Sequence, residues 1–339
     1  MNGVIRLKRG EERRLKAGHL WIYADEVAHL DVDGPGGLAR VEDSRGHGIG
    51  TAHANPDSKI VGRMISRKLL DRLTPRWWKI RLETALSRRK QLFDTPHYRL
   101  VHGDGDRLPG LVIDRFGDDI VIQAHTAGMD RALDDIIQAV HALLSPVNIY
   151  INNRAGARRL EGLDARTHHA HGKGDGVVTA HECGLPMRCH ALEGQKTGYF
   201  YDQRPNRRWI GAHCADRRVL DLFAYVGAFA AQALRGGAAS VTSVDASAPA
   251  LDFARLNMEQ NGFAERWQGV RADVMHWLQA AVADNARFDT VVCDPPAFVK
   301  SRARRQQGLR GYRKLARLTA GVTAPGGMLA LASCSGLVN

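Results

Sequence analysis

Residues 219–334 alternate apolar, strand-like runs with amphipathic segments: VLDLFA, a helix from about Gly227, VTSVDAS, ALDFARLNMEQNG, RWQGVRAD, VMHWLQAAVAD, FDTVVCD, a basic helical stretch and MLALASC. Repeated βα units of this length leave few topologies. Parallel strands need long crossovers, these are right-handed, and helices then cover both faces of the sheet. The expected fold class is therefore α/β, with ligands bound beyond the carboxyl ends of the strands.

The strand ends narrow the ligand. The first reads DLFAYVGAF, from Asp221 to Phe229, and is not the GxGxxG that brings backbone amides onto a pyrophosphate. Its one glycine, Gly227, suits a ligand without phosphates whose amino-acid tail passes close to the backbone, and S-adenosylmethionine is such a ligand. Asp245 ends the second strand, where its carboxylate can accept from both ribose hydroxyls, and Asp273 ends the third, placed to meet the adenine amine. Each acid taken alone reads equally as a helix cap or surface group. The fourth strand ends in Asp294-Pro295-Pro296, with Phe298 beyond. The prolines stop the strand and hold a rigid turn, leaving a carboxylate and backbone carbonyls where a planar base can be gripped.

Upstream, VIRLK, LARVED, IGTAHAN and KIVGRMI read as short strands of a small β module, with a loop after the first. Thr74-Pro75 marks a helix start, the FGDD break between two apolar runs marks a hairpin, and Leu133, Ile136, Ile137, Val140 and Leu144 share one helix face. Arg154 to Gly176, including His168, His169 and His171, reads as loop, and Val177 to Leu192 as another hairpin. His181, Cys183, Cys189 and His190 in that hairpin are zinc-ligand types, but their spacing does not match a structural zinc site and no metal is expected.

Forty-eight Lys and Arg against 36 Asp and Glu, a net charge of +12, suit a polyanionic partner. Lys8, Arg9, Arg13 and Arg14 cluster near Trp21 and Tyr23, a combination that can hold a phosphate backbone and offer a stacking face. Between Lys300 and Arg317 lie eight basic residues and no acidic one, led by Lys300, Arg302, Arg304 and Arg305. Both groups are assigned to RNA contact, against the plainer reading of solvated basic faces. Five scattered cysteines without a signal peptide imply reduced thiols and a cytoplasmic chain, and no apolar run is long enough to span a bilayer.

With these residues in view, the chain resembles the class I methyltransferases that form 5-methylcytosine in large-subunit ribosomal RNA and carry an N-terminal PUA domain. The likeness runs through HLWIYADEV, GDGDRLPGLVIDRFG, KTGYFYDQRPNR, DLFAYVGAFA, SVDAS, CDPPAFVK and ASCSGL. It implies a PUA-like RNA-binding domain over 1–73, a linker helix and central α+β domain over 74–190, and a Rossmann-like methyltransferase domain over 191–339. KTGYFYDQR borders the cofactor site in that family, so Lys196, Thr197, Tyr199, Asp202, Gln203 and Arg204 join Asp221, Phe223, Gly227, Phe229, Asp245, Asp273 and Asp294 as expected cofactor residues. The implied partner is large-subunit ribosomal RNA; a homodimer is allowed. Chains of this fold normally continue past the fifth strand with a helix and an antiparallel strand pair, whereas this one stops at Asn339. The last domain is thus expected to lack those strands and to expose a sheet edge.

Carbon 5 of cytosine is a poor nucleophile, so a thiolate must first add at carbon 6. The family's sheet order makes the fourth and fifth strands neighbours, about 4.8 Å apart. Asp294 and Cys334 would then face one pocket, Cys334 as nucleophile and Asp294 holding the cytosine ring. Cys293 points to the opposite face of its strand, into the core. Where related enzymes of another branch place a second cysteine after the proline, this chain has Ala297, and the base that releases product is unassigned. Two alternatives remain: a nitrogen-directed RNA methyltransferase that needs no nucleophile, and a non-catalytic RNA-binding or assembly factor.

Overall fold

The computed structural model describes Gly3–Val299 and Arg302–Val338, so the RNA contact expected at Lys300 lies outside the described residues. The chain divides into two units, one of residues 1–178 and 190–199, the other of residues 179–189 and 200–339.

The first unit opens with β1 (Gly3–Leu7), α1 (Glu12–Lys16), β2 (Trp21–Tyr23), β3 (Val27–Asp31), β4 (Gly37–Glu42), β5 (Gly48–Ala54) and β6 (Ile60–Ser66). Their six-stranded sheet runs β2-β6-β5-β4-β1-β3. Period-two alternation explains its core: Ile5 and Leu7 turn inward with Ile22, Val41, Ala52 and Val61, while Arg6 between them reaches Glu42. The sequence left the segment after β1 as loop. It contains α1, β2 and β3 because Trp21–Tyr23 pairs with β6 and Val27–Asp31 with β1, partners distant in sequence.

Next come α2 (Pro75–Leu92), β7 (His97–His102), β8 (Leu111–Phe116), β9 (Asp119–Ala124), α3 (Ala127–Arg131), α4 (Leu133–Leu144), β10 (Asn148–Asn153) and β11 (Arg166–His171), with a sheet in the order β11-β10-β9-β8-β7. Thr74 caps α2 by accepting from the Trp77 amide at 3.2 Å, with Pro75 at the first helical position, and FGDD does form the β8–β9 hairpin. His168, His169 and His171 are not loop residues: they lie on β11, an exposed edge strand whose backbone pairs antiparallel with β10. Its polar composition hides a strand that is held by main-chain pairing and by ring contacts such as that of His169 with Tyr150 at 4.8 Å.

The second unit takes most of the hairpin β12 (Val177–Glu182) and β13 (Leu185–His190). Then follow α5 (Arg204–Ala212), β14 (Arg218–Leu222), α6 (Ala228–Arg235), β15 (Ser240–Asp245), α7 (Ala248–Gln260), β16 (Trp267–Arg271), α8 (Val274–Ala283), β17 (Phe288–Cys293), α9 (Arg305–Val322) and β18 (Thr323–Leu331). The sheet is parallel throughout in the order β16-β15-β14-β17-β18. This is the α/β domain expected. The order reverses between β14 and β17, which opens a crevice at their carboxyl ends. One face is closed by α8 and α9, whose Leu278, Leu315, Leu318 and Val322 pack on Leu220, Val291 and Cys293. Among the described residues no helix is long and apolar enough to cross a membrane.

Candidate active site

The carboxyl end of β14 is shaped by unusual backbone. Phe223 (φ 60), Tyr225 (φ 51) and Gly227 (φ 77) all enter the left-handed region, which bulky side chains rarely adopt. Two anchors hold them there: the Phe223 amide donates to the Val244 carbonyl at 2.9 Å, and the Tyr225 amide to Asp245 Oδ2 at 2.9 Å. Asp245 Oδ1 accepts from the Ser247 amide at 2.8 Å. The carboxylate therefore fixes both flanking loops and keeps lone pairs for further donors such as ribose hydroxyls. Gly227 also meets two demands of the protein itself: its φ is positive, and a Cβ there would meet Met258 Cε at 3.0 Å and Ala254 Cβ at 3.1 Å on α7.

Asp221 is buried, with the Ala230 amide bonded to its carboxyl and Oδ2 without a hydrogen-bond partner among the described residues. Burial pushes its pKa up to about 8, helped by the nearby charges of Asp245 and Asp294 and opposed by Arg207. A buried acid with an unmet acceptor, at a crevice flanked by two more carboxylates, fits the cationic amino-acid tail of S-adenosylmethionine. Asp273, expected at the adenine, is the N-cap of α8: Oδ1 accepts from the His276 amide at 2.9 Å, and its side chain remains exposed. Phe223 packs against the α8–α9 core.

The Asp-Pro-Pro turn follows β17, and β18 pairs beside that strand. The last strand ends at Leu331, and the Ala332 amide still donates to the Cys293 carbonyl at 2.9 Å before the chain turns. Cys334 is exposed, its Sγ 3.7 Å from the Pro295 carbonyl oxygen. Ser335 is buried and ties the two segments together, accepting from the Val299 amide at 3.3 Å and bonding the Tyr312 hydroxyl at 2.8 Å. Tyr312 rises from α9, where its ring packs on Phe298 at 4.7 Å between centroids. Cys293 is fully buried in the core, and desolvation, with Asp294 and Asp221 nearby, pushes its thiol pKa far above neutral. It cannot supply a thiolate.

Other expected residues divide between the units. Lys196, Thr197 and Tyr199 fall in the first, and Asp202, Gln203 and Arg204 in the second. Thr197 is fully buried with its hydroxyl bonded to Asp114, and the Lys196 carbonyl accepts from Gln123 Nε2 at 2.9 Å and Asn152 Nδ2 at 2.8 Å. Arg204 lies 3.6 Å from Glu182, and Gln203 Nε2 donates to Asp294 Oδ2 at 3.0 Å. A cavity of about 310 Å³ is lined by Gln203, Asn206, Trp209, Phe229, Asp294 and Leu331 among others. Among the basic residues, Lys8 Nζ donates to the Asp25 carbonyl, and Arg14 pairs with Glu26 and lies over Tyr23. Arg9 and Arg13 are exposed, as are Arg304 and Arg305 at the start of α9; Arg305 Nε donates to the Leu337 carbonyl at 3.2 Å.

Sequence reasoning missed the bidentate pair of buried Arg207 with Glu182, at 2.7 and 2.6 Å, which joins α5 to the hairpin. It also missed Ser335. Only the position of Ser335 next to Cys334 could have drawn attention to it; a carboxylate and a guanidinium twenty-five residues apart carry no local signal.

Residues 5–67 match the PUA-like domain family, and residues 164–336 match the S-adenosylmethionine-dependent methyltransferase family. The chain is 35% identical over 343 residues to Ribosomal RNA large subunit methyltransferase I of Alteromonas mediterranea, covering 100% of this chain and 86% of that protein. It is 35% identical over 348 residues to a Ribosomal RNA large subunit methyltransferase of Deinococcus radiodurans, covering 99% and 85%. Among solved structures, one described as a methyltransferase complexed with SAH superposes with a TM-score of 0.82 at 23% identity, covering 96% of this chain and 84% of that one. At that identity the likeness speaks for the fold.

Proposed function

The chain belongs to the family of large-subunit ribosomal RNA methyltransferases built from a PUA-like domain and an S-adenosylmethionine-dependent methyltransferase domain, and from that premise we propose that it forms 5-methylcytosine in that RNA through a cysteine adduct. The observation that carries the reading is Cys334, exposed, with Sγ 3.7 Å from the Pro295 carbonyl on the turn that begins with Asp294. A nitrogen-directed enzyme has no use for a thiol at that turn.

Asp294 and the proline carbonyls hold the ring edge of an extruded cytosine. Cys334, as thiolate, bonds carbon 6; the 5,6 double bond is lost and carbon 5 becomes an enamine carbon able to attack an electrophilic methyl group. S-adenosylmethionine would supply that methyl as a sulfonium, with Asp221, Asp245 and Asp273 as its acidic neighbours and Asp202, Gln203 and Arg204 at its border. Loss of the carbon 5 proton and elimination of the Cys334 thiolate restore the ring. Extruding a paired base costs a few kcal/mol, roughly, which basic contacts elsewhere offset. Arg304, Arg305, Arg310, Arg313, Lys314 and Arg317, all exposed, are assigned that task together with the basic cluster of the PUA-like domain. The homodimer allowed by the sequence gains no support from the described residues.

The test is incubation with radiolabelled methyl donor and ribosomal RNA, then digestion and identification of the labelled nucleoside. Wild type should label 5-methylcytidine and Cys334→Ala should not, while still binding S-adenosylhomocysteine. Undiminished 5-methylcytidine from Cys334→Ala removes the adduct, and label on a nitrogen position removes the product assignment.

A further inference from the structure

Gln203 ends the short 3-10 turn Tyr201–Gln203, just before α5. The two ends of its side-chain amide meet opposite partners: Nε2 donates to Asp294 Oδ2 at 3.0 Å, and Oε1 accepts from Asn206 Nδ2 at 2.7 Å. A flipped amide would set oxygen against carboxylate and amine against amine, so both contacts select one orientation. Asn206 stands one helical turn along, and both residues line the cavity that reaches Asp294.

We propose that Gln203 is a positioning residue that holds the Asp294 carboxylate in the rotamer that grips the target base, and that Asn206 acts through it by locking its amide. This gives Gln203 a role different from the cofactor contact that the motif around it suggests. Two features of the molecule support it. Asp294 follows a strand end and precedes two prolines, so its main chain is rigid and its remaining freedom is the side chain's own rotation. It also shares the crevice with Asp221, whose Oδ2 has no donor among the described residues. The Gln203 amide donated to Asp294 favours charge on that carboxylate, while Asp221, buried and with one oxygen unmet beside the Ala230 amide bond, is the one better able to carry the proton.

The inference rests on the methyl-transfer reading, and the measurements separate the two. In single-turnover methylation of ribosomal RNA, Gln203→Leu and Asn206→Leu should each lower the rate about 10- to 100-fold, the scale of a misplaced reacting group. The affinity for S-adenosylhomocysteine by calorimetry should stay within about twofold. Because Asn206 works only through Gln203, the double variant should be no slower than Gln203→Leu alone; additive losses would overturn the relay. A loss confined to S-adenosylhomocysteine affinity would return Gln203 to the cofactor. Should wild type methylate no RNA, the proposal is still decided by the Asp294 side-chain carboxyl resonance of carbon-13-labelled protein, identified by its absence from Asp294→Asn. It should move in both single variants, and a resonance unmoved in either overturns the proposal.

Discussion

Gly308→Ala tests whether α9 is the seat on which the Asp-Pro-Pro turn rests. A Cβ at Gly308 would lie 2.5 Å from Val299 Cγ2, 2.8 Å from the Phe298 carbonyl oxygen and 2.9 Å from the Phe298 carbonyl carbon. Ordinary contact is about 3.5 Å, so the main chain at residue 298 must retreat by roughly 0.7 Å. In an exposed helix alanine would gain about 1 kcal/mol over glycine, but overpacking of this kind costs about 1–3 kcal/mol, and main chain cannot rotate out of the way as a side chain can. The net loss of stability is at most about 2 kcal/mol, or roughly 8 °C in Tm. Activity should suffer more, because displacing a reacting group by about 1 Å costs on the order of a hundredfold. Gly311→Ala is the control: its nearest contact is the edge of the Phe298 ring at 3.1 Å, which can tilt. Methyl transfer and thermal melting measured together should show Gly308→Ala folded at 25 °C yet about 10- to 100-fold slower, with Gly311→Ala near wild type. Full activity in Gly308→Ala, or an equal loss in both, would refute the reasoning.

The raised pKa of Asp221, to about 8, gives a pH signature. Its folded value lies above its unfolded one, so its contribution to stability is complete below about pH 4 and is lost as pH rises toward 8. Asp221→Asn mimics the neutral acid, and its advantage in Tm over wild type should grow from pH 5 to pH 8.5; parallel curves would contradict the assignment. Iodoacetamide followed by peptide mass mapping should modify exposed Cys334 in the native protein and spare buried Cys293, and Cys293→Ala should retain methyl transfer at a cost of about 1 kcal/mol in stability. Asn257 is fully buried, with Oδ1 accepting from the Arg188 amide at 2.7 Å and Nδ2 donating to the Arg188 and Val226 carbonyls at 3.0 Å each. Asn257→Leu should lose about 2–3 kcal/mol in urea unfolding, since it strands one buried and two part-buried backbone groups; a loss under about 1 kcal/mol would count against that bonding.

Much of the second unit was legible because its information is local. The alternation of apolar runs carries the βα repeat, Thr74-Pro75 carries its own cap, and the proline pair after Asp294 dictates a stop and a turn wherever the chain folds. Cys293 and Cys334 could be told apart from sequence because strand periodicity sends neighbouring side chains to opposite faces, and burial of Cys293 follows. What failed was what depends on distant partners. The β2, β3 and β11 strands have little intrinsic signal and exist through pairing with β6, β1 and β10. Gly227 was legible as necessary, but the packing constraint on it was not, because Met258 and Ala254 come to it from another helix.

By itself, then, the sequence determined the α/β class, the acidic strand ends, the rigid Asp-Pro-Pro turn and a cysteine at the end of the last apolar run, all consequences of periodicity and covalent geometry; that β18 stops at Leu331 and leaves Cys334 beyond it is a correction the structure makes. Only the tertiary structure decided that Cys334 comes to the Pro295 carbonyl, that Ser335 and Tyr312 bind the two segments together, and that Gln203 serves Asp294. Hydrogen bonds between residues many positions apart have no periodicity to betray them; they arise when parallel pairing of β17 with β18 brings two strand ends to one place.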